Sequence, residues 1–162
     1  MKARFVSEAI DFERGKDPKA VMGIGTVELI YKWMEKTFPS FMPKYKINDD
    51  MSIDILDDFE VPDTEIVKFP EYVNFNNCYG DFHVDYTKLE SLRGCPKVVK
   101  GFFSCEGNKL ESLDGIPEII YGDIFVRDNP GKFTEQEVLE YFPKFPMRRG
   151  QKIYSENSYQ DE

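Results

Sequence analysis

A nine-residue run, Lys88-Leu89-Glu90-Ser91-Leu92-Arg93-Gly94-Cys95-Pro96, returns 21 positions later as Lys109-Leu110-Glu111-Ser112-Leu113-Asp114-Gly115-Ile116-Pro117. Gly80, Gly101 and Gly122 keep the same step, and Val98-Val99 returns as Ile119-Ile120. A period near 20 residues predicts a solenoid, in which each unit buries its apolar face only against its neighbours. A leucine-rich template fits the middle unit through Phe103, Cys105, Asn108 and Leu110. It fits the next through Ile124, Val126 and Asn129, and the one before through Phe82, Val84 and Leu89, with Thr87 where Asn would stand. One short parallel strand per unit is expected near 82–84, 103–105 and 124–126, with the Asn side chains serving buried backbone groups between coils. An atypical capping coil is expected over Ile66 to Cys78.

The flanks carry helix and turn signals. Phe5 to Arg14 reads as a short helix ending at Gly15. Asp17-Pro18 starts a second, cut short by Gly23 and Gly25. A third runs from Val27 to Thr37, with Val27, Ile30, Tyr31 and Met34 on one face. Ile53 and Ile55 alternate with polar neighbours after Asn48-Asp49-Asp50, which predicts a hairpin over 45–65. Thr134-Glu135-Gln136-Glu137 matches a capping box, so a short helix is expected to close the stack. From 147 onward the chain is polar and aperiodic and reads as a flexible tail. The expected architecture is α+β: an N-terminal helical segment (1–44), an acidic hairpin or cap (45–65), a short leucine-rich-repeat-like solenoid of about three coils with a terminal helix (66–146), and a tail (147–162).

Composition narrows the function. The net charge is −9, and residues 48–65 hold eight acids and no base. That balance disfavours direct nucleic-acid binding and anionic membranes, and permits a basic protein partner or a nucleic-acid mimic. The plainer reading of the acidic segment is a solvated hairpin; its carboxylates miss the EF-hand spacing and its glycine. Three cysteines, Cys78, Cys95 and Cys105, make neither a disulfide framework nor a CxxC zinc site. No window is apolar enough to span a membrane, and the start lacks a signal peptide's apolar run. A cytoplasmic protein without cofactor is therefore expected.

Taken together, Ile47-Asn48-Asp49-Asp50-Met51-Ser52-Ile53-Asp54 followed by L-x-S-L-x-G-x-P units resembles leucine-rich-repeat-like proteins of tailed bacteriophages. Phe12 to Lys19 and Met22-Gly23-Ile24-Gly25 are similar to their amino-terminal segment. The resemblance covers roughly residues 4–133 and implies a short member of phage origin. It implies no activity and no catalytic residues.

The strand face is the default binding surface of a solenoid. Template positions 3, 5, 7 and 8 place Asp81, His83, Asp85 and Tyr86 there. They also place Phe102, Ser104, Glu106 and Gly107, then Asp123, Phe125, Arg127 and Asp128. Tyr86, Phe102, Phe125, Arg127, His83 and Glu106 are the candidate protein-binding residues. Phe102 and Phe125 weigh most, because large apolar groups on such a face need either a partner or a cover of N-terminal helices. A Ser–His–Asp site would have to use His83, the only histidine, yet no G-x-S-x-G context exists. Gly23-Ile24-Gly25 lacks the Lys and preceding strand of a phosphate loop. The expected function is a non-enzymatic interaction module of a phage that binds and occludes a host protein. The alternatives are a virion accessory or assembly protein, which mass spectrometry of purified particles would detect, and an acidic nucleic-acid mimic.

Overall fold

The chain is described by a computed structural model over residues 18–62, 65–142 and 147–159. The helix expected over Phe5 to Arg14 lies outside the described residues. The architecture is a β-solenoid of about three turns with two sheets. The first sheet runs in the order β1 (Tyr45–Ile47), β2 (Ile53–Ile55), β4 (Phe75–Cys78), β6 (Val98–Val99), β8 (Ile119–Ile120). The second runs β3 (Phe59–Glu60), β5 (Phe82–His83), β7 (Phe103–Ser104), β9 (Ile124–Phe125), β10 (Ile153–Tyr154).

The 21-residue step is a physical register. Phe82 pairs with Phe103 and Phe103 with Ile124, all parallel. The rings of Phe59 and Phe82 stack at 4.5 Å and those of Phe82 and Phe103 at 6.1 Å, with their planes nearly parallel. Each aromatic therefore buries its face on the same residue of the next rung. Leu89, Leu92, Leu110 and Leu113 are fully buried along the arc that leads from the second sheet back to the first. Ser91 and Ser112 explain the repeat's serine: each hydroxyl accepts the backbone N–H two residues on, at 3.1 Å, and so turns the chain. Gly115 follows at φ +92°, where an added Cβ would also stand 2.8 Å from the Leu92 carbonyl.

Asn108 ties the coils together. Its amide donates to the carbonyls of Val84, Cys105 and Glu106, and its oxygen accepts from the Thr87 hydroxyl and the Leu89 N–H. Asn129 repeats this one rung on, donating to Cys105, Val126 and Arg127 carbonyls and accepting from Leu110 N–H. These bonds satisfy the Val84, Cys105 and Val126 carbonyls at a corner of the coil, and add to the bonds that the Glu106 and Arg127 carbonyls already accept from the Tyr86 and Gly107 N–H groups.

Three expectations need correction. Each repeat contributes two strands, not one: Val98–Val99 and Ile119–Ile120 form a second parallel ladder. Two residues cannot display an alternation, so this strand carries no periodic signal. The chain does not break at Gly23 and Gly25; a single helix, α1, runs from Pro18 to Thr37. Each glycine costs a helix about 1 kcal/mol, which packing of the distal half outweighs. Ile30, Met34 and, just past the helix, Phe38 are buried, and Trp33 meets Phe69 edge-on and Phe75 at a tilt, so α1 closes the N-terminal end of the stack. The tail is not a free tail. Ile153 and Tyr154 pair with Ile124 and Phe125, Ser155 is buried, and the Gln151 amide donates to the carbonyls of Ile120 and Gly122. The last rung of the second sheet is thus β10. The short helix α2 (Glu135–Glu140), with its Thr134 capping box, buries Val138 beside it.

Between β1 and β2 the chain turns through Met51 at φ 69°, and Asp50 accepts from the backbone and hydroxyl of Ser52. Asp54 accepts from Asn76 and Asn77, Asp57 from the Lys44 N–H, and Asp58 from the Asp81 N–H. Much of the acidic segment is therefore occupied in holding its own backbone and that of the next rung.

Candidate interaction face

The outward side chains of the second sheet form rows that run from rung to rung. Adjacent rungs lie about 4.8 Å apart. In one row stand Asp58, Asp81, Phe102 and Asp123. The carboxylates do structural work: Asp58 accepts the Asp81 N–H, Asp81 accepts the Phe102 N–H, and Asp123 accepts the Lys152 N–H, each at 2.8 Å. Phe102 interrupts this ladder. Its side chain can accept nothing from the rung after it, and the residue is 43% exposed.

The next row holds Glu60, His83, Ser104, Phe125 and Tyr154. Phe125 and Tyr154 stack at 4.5 Å, and Phe102 meets Phe125 edge-on at 6.1 Å. Three aromatics thereby make one ridge across β7, β9 and β10. Beside it Arg127 donates to Glu106 Oε1, and the guanidinium lies 5.6 Å from the Tyr154 ring. Glu106 is only 8% exposed, so it orients Arg127 from beneath. Tyr86 stands at the margin, 63% exposed at φ 50°. Its ring lies across Gly107, where any Cβ would collide with it.

Towards the other end, His83 lies between two carboxylates, 3.9 Å from Asp81 and 3.5 Å from Asp85. Hydrogen bonding to Asp85 raises its pKa above the ordinary 6.5, against a smaller opposing effect of burial. Asp85 also accepts from the Ser104 hydroxyl and the Glu106 N–H. Serine, aspartate and histidine do meet here, but the hydroxyl points at the carboxylate, and Ser104 is 3% exposed. That arrangement turns the serine hydroxyl to the carboxylate and not to the imidazole, and gives no access to it. The thiols are also quiet: burial pushes Cys78 up to about 12 and raises Cys95 and Cys105 further. Among the described residues no group of three His, Cys, Asp or Glu side chains could hold a metal ion.

The six expected residues therefore divide. Phe102, Phe125 and Arg127 are brought together and reach the surface. Glu106 is their support, His83 sits with the acids one rung away, and Tyr86 lies at the edge. Tyr154 and Glu60 were not expected on this face. Tyr154 follows Phe125 by 29 positions, so the 21-residue step passes over it. Among the described residues α1 packs on the end of the stack and leaves this face open. No helix among them is long and apolar enough to cross a membrane. In comparisons with known proteins, no family model, no curated protein and no solved structure matches the chain.

Proposed function

We propose that the outer face of the second sheet docks another protein, and that the chain is a non-enzymatic interaction module. The supporting observation is Phe102. Every neighbouring rung uses this position for a carboxylate that bonds the next backbone, whereas Phe102 forgoes that bond and places an aromatic ring in water. Stability alone favours aspartate there. Covering the exposed part of that ring on binding would contribute about 2 kcal/mol. With Phe125, Tyr154 and Arg127 alongside, the ridge has the residue types that carry most of the energy in protein interfaces. The phage origin and the occlusion of a host factor rest on the resemblance of the repeat and the 47–54 segment to phage leucine-rich-repeat-like proteins. An acidic mimic has less support, because Asp54, Asp57 and Asp58 are committed to backbone groups.

The test is capture from lysate of infected bacteria with wild type and with Phe102→Asp/Phe125→Asp as bait, followed by calorimetry with the purified captured protein. Both baits should show the same far-ultraviolet dichroism and cooperative melting. Wild type should bind its partner directly and the double variant should lose it. Equal affinity for the two baits would remove the function from this face.

A further inference from the structure

We propose that what docks is a basic amphipathic helix, laid along the solenoid axis with a Lys or Arg among the carboxylates around His83 and an aliphatic or aromatic side chain on Phe102 and Phe125. This rests on the docking face argued above and adds the chemistry of its occupant. The face has two unlike halves. Its aromatic ridge lies on β7, β9 and β10. Its acidic half lies on β3 and β5, where Glu60, Asp81 and Asp85 surround His83.

The acids are arranged to accept a further cation. Asp81 and Asp85 each give one oxygen to backbone N–H groups, and turn the other towards His83. Among the described residues no Lys or Arg pairs with Glu60, Asp81 or Asp85. The one guanidinium on the ridge, Arg127, is held by Glu106. An incoming ammonium or guanidinium thus meets three carboxylates offset, among the described residues, only by His83, beside an apolar surface that excludes water, where a charge pair is stronger than in bulk. The same field repels nucleic acid and anionic lipid.

Spacing selects the helix. From β5 to β9 is two rung steps, about 10 Å. A helix rises about 1.5 Å per residue, so positions i and i+7 stand about 10.5 Å apart and share one face. An extended segment covers about 10 Å in three residues, but an odd step points the two side chains in opposite directions.

The probe is an alanine-based helical peptide with Arg at one position and Leu seven residues on, titrated to millimolar concentration into the ¹⁵N-labelled full chain. Amide shifts should centre on His83, Asp85, Phe102 and Phe125. Replacing Arg by Glu in the peptide, or moving Leu to the fifth residue on, should abolish them. Glu60→Gln, which touches no backbone ladder, and Asp81→Asn/Asp85→Asn, which keeps an acceptor oxygen, should weaken binding about tenfold together. No shift, or equal shifts with the Glu peptide, overturns the proposal. The captured partner separates the two claims: loss of binding in Phe102→Asp/Phe125→Asp, with full affinity in Glu60→Gln/Asp81→Asn/Asp85→Asn, keeps the docking face and removes its cationic occupant.

Discussion

Arg127 Nε donates to Glu106 Oε1 across adjacent rungs, and the pair is largely withdrawn from water, with side chains 22% and 11% exposed. Removing one partner from such a pair strands the other charge, which costs more than the pair itself contributes. Arg127→Met should therefore destabilise the chain by about 2 kcal/mol. The Arg127→Met/Glu106→Gln double variant should recover most of that loss. Urea denaturation of the four-member cycle checks both; additive losses would show that the two side chains act independently.

Two glycines make opposite predictions. A Cβ at Gly101 would stand 2.8 Å from the Gly80 carbonyl carbon and oxygen, a backbone that cannot move without disturbing the rung. Gly101→Ala should cost about 2 kcal/mol by overpacking. Gly25 lies within α1 with nothing near the added carbon, so Gly25→Ala should stabilise by about 0.5–1 kcal/mol through helix propensity. Thermal melting of the two variants reads both signs directly.

What could be read from the sequence was whatever repeats. The step of 21 placed Phe82, Phe103 and Ile124 in one ladder and Asn108 and Asn129 in the corner between coils, because stacked units force equivalent residues into equivalent roles. It also brought Phe102 and Phe125 to the strand face. The repeat strands of the first sheet stayed hidden, since Val98–Val99 and Ile119–Ile120 are too short to show a period. Glu60 and Tyr154 fall outside the step altogether. Whether α1 would cover the face depended on which end of the stack its buried residues met, a tertiary fact that no local pattern records.

Residues 151–155 form a structural rung, and truncation tests that directly. Ile153 is 9% exposed, β10 covers the edge of β9, and Gln151 serves the Ile120 and Gly122 carbonyls. Burial of one isoleucine alone is worth about 2 kcal/mol, and the freed strand edge invites association. A chain truncated after Gly150 should unfold at clearly lower urea concentration and sediment as larger species. A truncation with unchanged midpoint would return the segment to the status of a loose tail.

His83 couples the face to pH. In the folded chain its pKa is held above 6.5, chiefly by the hydrogen bond to Asp85 and then by the charges of Asp85, Asp81 and Glu60, despite some desolvation. The folded state therefore binds the proton more tightly than the unfolded one. The resulting stabilisation is complete below pH 6.5 and fades as pH rises through the folded-state pKa. His83→Gln removes the titrating group and keeps a neutral polar side chain. The stability difference between wild type and His83→Gln should thus shift in favour of wild type on going from pH 8.5 to pH 5.5, measured by urea denaturation at constant ionic strength. The same titration acts on the cation site: a protonated His83 cancels part of the field of its carboxylates, so the Arg-bearing peptide should bind more weakly at pH 5.5 than at pH 8.5, and His83→Gln should flatten that dependence.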